Sequence, residues 1–424
     1  MSTNALADGG AAAGIVRGLG LFGPLSASVL VAVLRPPPPA RIAAAILASA
    51  WMMAVLPAIN FLAVQQEWWS FHADGGTVAG LPVDLVLGWV LIWGTLPALA
   101  AGRQPLAVTG CTLLWLDLVL MPLLRPVVRL GEHWLYGEAL AVAAALLPAL
   151  LLARWTERNQ RLPIRALAQV ALVGVLLLAL PVALLAPALP GGRALGIGVQ
   201  LLAVPLLLGV AAVREFAVLG HGTPLPYDPP RRLVTSGPYA YVRNPMQLSM
   251  ALAYLVLSAL TRDPRLLVAV VVVVTYSAGL AAWHEGDQLR RVDAQAWNRY
   301  RAGVRPWLPR RRPWPGMPPA RVYVAGTCGV CEQVGRWIRR RSPVALTVVA
   351  AEGHPAGLRR ITYESIDGRD RAQGIAALAR VLSHLSLGWA WLGWALLLPG
   401  VAPATQLVVD GLGFGPRDLP STRV

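Results

Sequence analysis

The sequence predicts an all-α polytopic membrane domain followed by a small α/β domain. Composition, repeated apolar runs and a change of pattern after Trp283 carry that expectation. Of 424 residues, 56% are hydrophobic and only 14% are charged, against about 25% charged in a soluble domain. Mean hydropathy is +0.56. A spanning helix needs about 20 mostly apolar residues. Candidate runs are Leu19–Leu34, Ile42–Val64, Leu81–Ala101, Pro105–Leu124, Ala139–Ala153, Ala166–Leu189, Leu195–Val213, Met246–Leu260 and Leu266–Trp283. That makes about nine transmembrane helices, the first and fifth being short for the task.

The formal charge is +16, and every basic residue other than histidine is arginine. The absence of lysine excludes a P-loop lysine and a Schiff-base lysine. The arginines lie between apolar runs and in the tail, so membrane topology explains the charge and no nucleic-acid partner is expected. If the end of the last span faces the cytoplasm, the inside loops hold Arg35, Arg41, Arg103, Arg154, Arg158, Arg161, Arg165, Arg214, Arg231, Arg232 and Arg243. The outside loops hold Arg125, Arg129, Arg193, Arg262 and Arg265, and Gln65–Asp84 carries acids without arginine. This bias puts the tail in the cytoplasm of a multi-pass protein, expected in a bacterial inner membrane. The opening MSTNALADGG has no positive region leading into a cleavable apolar stretch, so no removable signal peptide is expected.

Three segments follow: N-terminal helices over 1–190, a core over 191–315, and a CxxC domain over 320–424. Proline and glycine at linker density over Pro309–Pro319 separate the last two. Beyond the linker, Val322–Val324 reads as a strand, Cys331–Arg341 as a helix and Val344–Ala351 as a second strand. Ile361–Ile366 reads as a third strand and Ala372–Leu385 as a helix. Leu387–Val401 is apolar but short for a span, so a buried or interfacial segment is expected.

The most informative stretch is GHGTPLPYDPPRRLVTSGPYAYVRNPMQL, Gly220–Leu248. Asn244 before Pro245 suits a helix start, with Asn as cap and Pro at the first helical position. Free N–H groups and the positive dipole end then sit beside Arg243, able to receive a carboxylate or phosphate. A well-capped helix with a proline-rich approach accounts for the same residues. Two spans joined by the short turn Thr261–Pro264 form a hairpin. Its closed geometry brings Arg243–Asn244 next to His284–Glu285, with Trp297, Tyr300 and Trp307 as aromatic cover.

GPYAYVRNPM, a Glu after the next span, then Leu289, Trp297, Tyr300 and VRPWLP over Val304–Pro309, resemble the isoprenylcysteine carboxyl methyltransferase and phospholipid methyltransferase superfamily. The likeness covers roughly 213–313. It implies methyl transfer from S-adenosylmethionine to a lipid or isoprenoid-type acceptor that enters from the bilayer. By the same resemblance Pro238, Tyr239, Tyr241, Arg243, Asn244, Pro245, Met246, Glu285, Tyr300 and Trp307 hold the cofactor. Arg243, Asn244 and Glu285 are the candidate catalytic residues. A dry aromatic site with a placed carboxylate suits a sulfonium cation. The chain departs from the family pattern at Gln247, Ser249, Gly286 and Asp293-Ala294.

Cys328-Gly329-Val330-Cys331 after a short strand and at a helix start is the thioredoxin-type arrangement. The helix N-terminus favours a thiolate on the first Cys, and Arg336, Arg339 and Arg340 add positive field. Zinc needs two more ligands at close spacing, so no metal is expected. The segment resembles the DCC family of thiol-disulfide oxidoreductases, through GTCGVC, LLLPGV and VVDGLGFGPR, with Ala325 where that family usually has Asp. A reducing cytoplasm argues against a standing disulfide, and a cytoplasmic thiol partner is expected. Cys111, inside an apolar run, is expected to pack as a small hydrophobe. Asp117 is an intramembrane acid that is either functional or hydrogen-bonded between helices; Asn60 reads as helix–helix glue.

Three activities remain open on the sequence. The first is S-adenosylmethionine-dependent methyl transfer with a CxxC accessory. The second is a membrane-tethered thiol-disulfide oxidoreductase on an inactive helical scaffold. The third is a membrane reductase on a sterol-reductase-like scaffold. The partners implied are the lipid bilayer and a lipid-soluble acceptor.

Overall fold

A computed structural model describes residues 3–100, 104–185, 191–225, 227–228 and 230–416, with the side chains of 3–10, 280–288 and 291–292 outside the description. The described chain forms two compact units. One holds Met1–Leu180 with Pro224–Asp228, the other Pro181–Thr223 with Pro229–Val424.

Seven helices among the described residues are long and apolar enough to cross a membrane. They are α1 (Thr3–Leu34), α2 (Pro39–Gln65), α3 (Val83–Ala100), α4 (Leu106–Leu124), α5 (Trp134–Glu157), α6 (Leu162–Leu185) and α7 (Gly192–Gly220). They coincide with the first seven apolar runs. The eighth and ninth expected spans are a correction. Helix α8 (Pro245–Thr261) and α9 (Leu266–Gly279) are apolar but shorter. Pro245 fixes where α8 begins, and Arg262, left-handed at φ 55°, ends it. The fifth helix is longer than its apolar run because Trp134–Glu138 and Arg154–Glu157 extend it at its two ends.

Prolines inside these spans do not end them. Wide π turns at Leu91–Thr95, Val142–Leu146 and Val173–Ala179 each lie just ahead of Pro97, Pro148 and Pro181. Proline lacks an N–H and its ring crowds the carbonyl four residues back. A widened turn relieves that crowding and lets the helix continue.

In the first unit α2 is central. Ala44, Ala45, Ala48 and Met52 pack against Val90 and Trp93 of α3 and Ala145, Leu146 and Ala149 of α5. Small residues let the helices approach where lipid supplies no hydrophobic drive between them. Asn60 meets its expectation in modified form: its Oδ1 accepts Trp69 Nε1–H at 3.1 Å from the two-stranded ribbon of β1 (Trp69–Phe71) with Val128–Leu130. Asp117 is buried and accepts Trp89 Nε1–H at 2.9 Å. Cys111 is exposed on α4 and not packed inside; an apolar run facing lipid leaves such a residue on the surface.

In the second unit α8 lies along α7. Ser249 Oγ–H donates to the Pro205 carbonyl at 2.6 Å, opposite Gly209, where a Cβ would come within 2.5 Å of that hydroxyl. Helix α10 (Ala282–Gly303) breaks at Asp293, whose backbone is extended. Asp293 Oδ1 accepts the Ala296 N–H at 2.8 Å and caps the following turn. After residue 319 a four-stranded sheet forms from Ala320–Val324, Leu346–Ala350, Thr362–Ser365 and Arg371–Gln373. The first strand is parallel to the second and antiparallel to the third, which pairs antiparallel with the fourth. Helices α11 (Gly329–Arg340) and α12 (Gly374–Leu382) flank it, around a core that includes Val322, Ile338, Ala377 and Val381. Two further helices, α13 (Leu387–Leu396) and α14 (Val401–Val409), fill the apolar tail as a bent pair rather than one segment.

Candidate functional site

The segment before α8 makes a single tight turn, Gly237–Ala240. Gly237 has φ +55°, and a Cβ there would meet the Glu215 carboxyl carbon at 2.9 Å, so glycine is required twice over. Tyr239 packs against Ala212, Val234, Phe216 and Met246. Its carbonyl accepts the Tyr300 hydroxyl at 2.9 Å. The backbone N–H groups of Arg243 and Asn244 donate to the carbonyls of Arg305 (2.9 Å) and Pro306 (3.2 Å), which tie the VRPWLP segment across the turn. Asn244 Nδ2–H donates to Ser277 Oγ at 3.3 Å. The start of α8 therefore lies beside the end of α9, as the hairpin requires.

A pocket of about 60 Å³ opens among Phe216, Tyr239, Arg243, Asn244, Trp297 and Tyr300, with Leu289 also in its lining. Trp297 is 8% exposed, and its indole N–H has no acceptor among the described residues. Burial pushes the Tyr300 hydroxyl well above its ordinary range, so it stays a neutral donor.

Four of the expected cofactor residues, Tyr239, Arg243, Asn244 and Tyr300, thus share one pocket. Met246 packs on Tyr239 behind it. Pro238 and Pro245 are buried in the turn and the helix start. Tyr241 points elsewhere: its hydroxyl donates to the Ser383 carbonyl at 3.1 Å and its ring meets Trp394 edge-on. Trp307 is half-buried and does not line the pocket. Glu285 lies one helical turn before Leu289, and its side chain is outside the described residues, as is that of His284.

Glu215 is the residue sequence reading missed. It is 2% exposed near the end of α7 and accepts Ser236 Oγ–H at 2.6 Å. Arg380 of α12 donates to its other oxygen at 2.5 Å and to Asp370 at 2.9 Å. Burial alone would push the Arg380 guanidinium down. Glu215 and Asp370 more than offset it and hold it above its ordinary value. An acid within an apolar run was the available signal.

Cys328 occupies the N-cap position of α11 and Cys331 lies in its first turn. Glu352 accepts the N–H groups of Gly326 (2.7 Å) and Thr327 (3.0 Å) and so fixes the loop before Cys328. These hydrogen bonds hold its carboxyl below the usual range. A cavity of about 240 Å³ opens beside both thiols. Among the described residues no cluster of His, Cys, Asp and Glu could hold a metal ion.

Fold and site together define a multi-pass membrane protein with an aromatic and cationic pocket at the mouth of a helix hairpin. Residues 194–292 match the sequence model of the phospholipid methyltransferase family. The match likens this part of the chain to membrane methyltransferases acting on lipid-type substrates, and it ends before the CxxC segment. No curated protein and no solved structure matches the chain.

Proposed function

We propose that the second unit carries an S-adenosylmethionine-dependent methyltransferase acting on a lipid or isoprenoid-type acceptor at the cytoplasmic membrane face. The observation that carries it is the convergence of Tyr239, Arg243, Asn244 and Tyr300 on one pocket inside the matched region. The orphaned Trp297 N–H fits a ligand with acceptor groups. The volume bounded by described side chains suits part of such a cofactor, since sites for whole ligands run to about 300 Å³ or more. When bound, the cofactor supplies an electrophilic methyl group on a sulfonium. Arg243 and the start of α8 suit its carboxylate. Tyr239, Trp297 and Tyr300 suit a cation against ring faces and exclude water. Glu285 is proposed for the amino or ribose groups.

Purified protein incubated with methyl-labelled S-adenosylmethionine and bacterial lipid extract should yield label in the organic phase. Glu285→Ala and Arg243→Ala should reduce that label at least tenfold. Label confined to the aqueous phase with wild type would sink the reading.

A second reading has its own observation. The parallel pair followed by an antiparallel hairpin, with Cys328 and Cys331 at the start of α11, supports a thioredoxin-like domain with a redox-active dithiol. A DCC-type thiol-disulfide oxidoreductase fits that arrangement. Ile361 stands in the cavity beside the thiols, and no cis peptide bond occurs among the described residues. No observation favours the sterol-reductase-like alternative.

A further inference from the structure

The cavity beside Cys328 and Cys331 has an unusual far wall. It consists of Gln406, Val409, Phe414 and Gly415, from α14 and the turn that follows it. Over Val401–Phe414 the single charged residue is Asp410. Asp410 turns inward, accepting both Arg360 nitrogens at 2.6 and 2.7 Å and Gln406 Nε2–H at 2.7 Å. The opposite face carries Leu407, Val408 and Leu412, exposed by 74%, 63% and 69%. A water-facing helix has the reverse arrangement, polar outward and apolar inward.

What covers this face follows from its neighbour. Helix α13 packs through Ala390 and Trp394 on Leu208 and Ala211 of α7, within that helix's apolar stretch rather than past its end. Together α13 and Val401–Phe414 are apolar enough to cross a membrane, but they bend by 90°. A segment of this composition beside a spanning helix suits a cover of lipid, which would leave the cavity at Cys328 and Cys331 one helix away from the bilayer. Much of the rest of the cavity wall is aliphatic, with Val334, Ile361 and Leu378, and Arg359 and Arg360 are its cationic members.

We propose that this cavity admits a quinone dissolved in the bilayer, and that the Cys328–Cys331 dithiol reduces it. This rests on the reading of the pair as redox-active, and replaces a cytoplasmic thiol partner by a lipid-soluble one. The two S–H bonds break and one S–S bond forms. Two electrons and two protons pass to the quinone oxygens, giving the hydroquinone. The aliphatic wall suits the ring and the first part of its tail, and Arg359 is the donor for a ring oxygen. A soluble protein partner would have to dock against a face that lipid covers.

The test uses the full chain in lipid nanodiscs, reduced and freed of reductant, with decylubiquinone under anaerobic conditions. Ultraviolet absorbance reads the quinone, and mass spectrometry after alkylation reads the thiols. Wild type should convert stoichiometric quinone to hydroquinone with formation of the Cys328–Cys331 disulfide. Cys331→Ser should lose the reaction. Leu378→Trp, which fills the cavity, and Phe414→Asp, which puts a charge at its exposed rim, should each slow it at least tenfold. Because Phe414 is 49% exposed, its variant tests the inference even if the core variant fails to fold. A water-soluble aromatic disulfide separates the two layers of the argument. If it cannot oxidise the pair to a disulfide, the redox reading itself fails. If it can, but decylubiquinone leaves the thiols reduced or reacts equally fast with Phe414→Asp, the quinone site is overturned.

Discussion

The pocket at Tyr239–Asn244 and the cavity at Cys328–Cys331 belong to one compact unit and are walled in contrasting ways. The first is small and built from aromatic rings with a guanidinium and an amide. Its backbone is tied down by bonds from Arg243 and Asn244 to Arg305 and Pro306. The second is four times larger in volume, about 240 against 60 Å³, and mostly apolar apart from its cysteines, Arg359, Arg360 and Gln406. A charged, polar ligand suits the first wall and a ring with an apolar tail suits the second. The contrast shows that one membrane-associated unit carries two cavities whose walls suit different ligands.

Helix α12 runs between them. Its N-terminal residues Gly374, Ile375 and Leu378 line the cavity, while Arg380 near its other end binds Glu215, which contacts the Gly237 turn. The largest expected effect comes from breaking that link. Arg380→Ala leaves the buried Glu215 carboxylate with only the longer 3.8 Å contact to Arg214 among its described ionic partners and should cost about 3–5 kcal/mol. Thermal unfolding in detergent checks it, and Glu215→Gln combined with Arg380→Met should recover much of the loss. A double variant no better than Arg380→Ala would mean that Glu215 is not the partner that matters.

Next comes His384, fully buried where the same helix ends. Its Nδ1–H donates to the Val344 carbonyl at 2.8 Å and its Nε2 accepts the Tyr363 hydroxyl at 3.0 Å, so the ring is held neutral. Burial pushes it down to about 4 from an ordinary 6.5. In this window the unfolded chain binds the proton and the folded one does not. Stability is therefore complete above pH 6.5 and falls as pH drops towards 4, by up to about 3 kcal/mol. Unfolding midpoints for His384→Gln should show a flatter dependence across that window.

A smaller change should follow Tyr300→Phe, which removes a buried donor from the Tyr239 carbonyl. It should cost about 1–3 kcal/mol and weaken ligand binding in the aromatic pocket while thiol reactivity stays unchanged. Smallest is Glu352→Gln. Solvent reaches this carboxylate, so the loss should stay below about 1 kcal/mol, seen as slightly altered alkylation rates at Cys328.

The seven long helices were legible because each is an apolar run of spanning length. The shared location of Tyr239, Arg243, Asn244 and Tyr300 was legible too, because the first three are local and the hairpin returns the chain so that α10 brings Tyr300 back beside them. The destination of Tyr241 was not. In a tight turn, residues two apart can leave on different sides, and only the packing of Trp394 decides which. The Glu215–Arg380 pair joins residues 165 apart; Glu215 stands out only as an acid within an apolar run, and nothing local marks Arg380 as its partner. Asp293 reads as a departure from a family pattern until its capping bond explains it. The fourth strand, Arg371–Gln373, has three residues, too few for an alternation to register.

The central claim is that the aromatic pocket holds S-adenosylmethionine, and calorimetric titration of the detergent-purified protein tests it most directly. Saturable binding by wild type, weakened at least fivefold by Trp297→Phe and tenfold by Arg243→Ala, is the predicted result. A folded wild type that takes up no S-adenosylmethionine, or an Arg243→Ala variant that binds it as well as wild type, would contradict it.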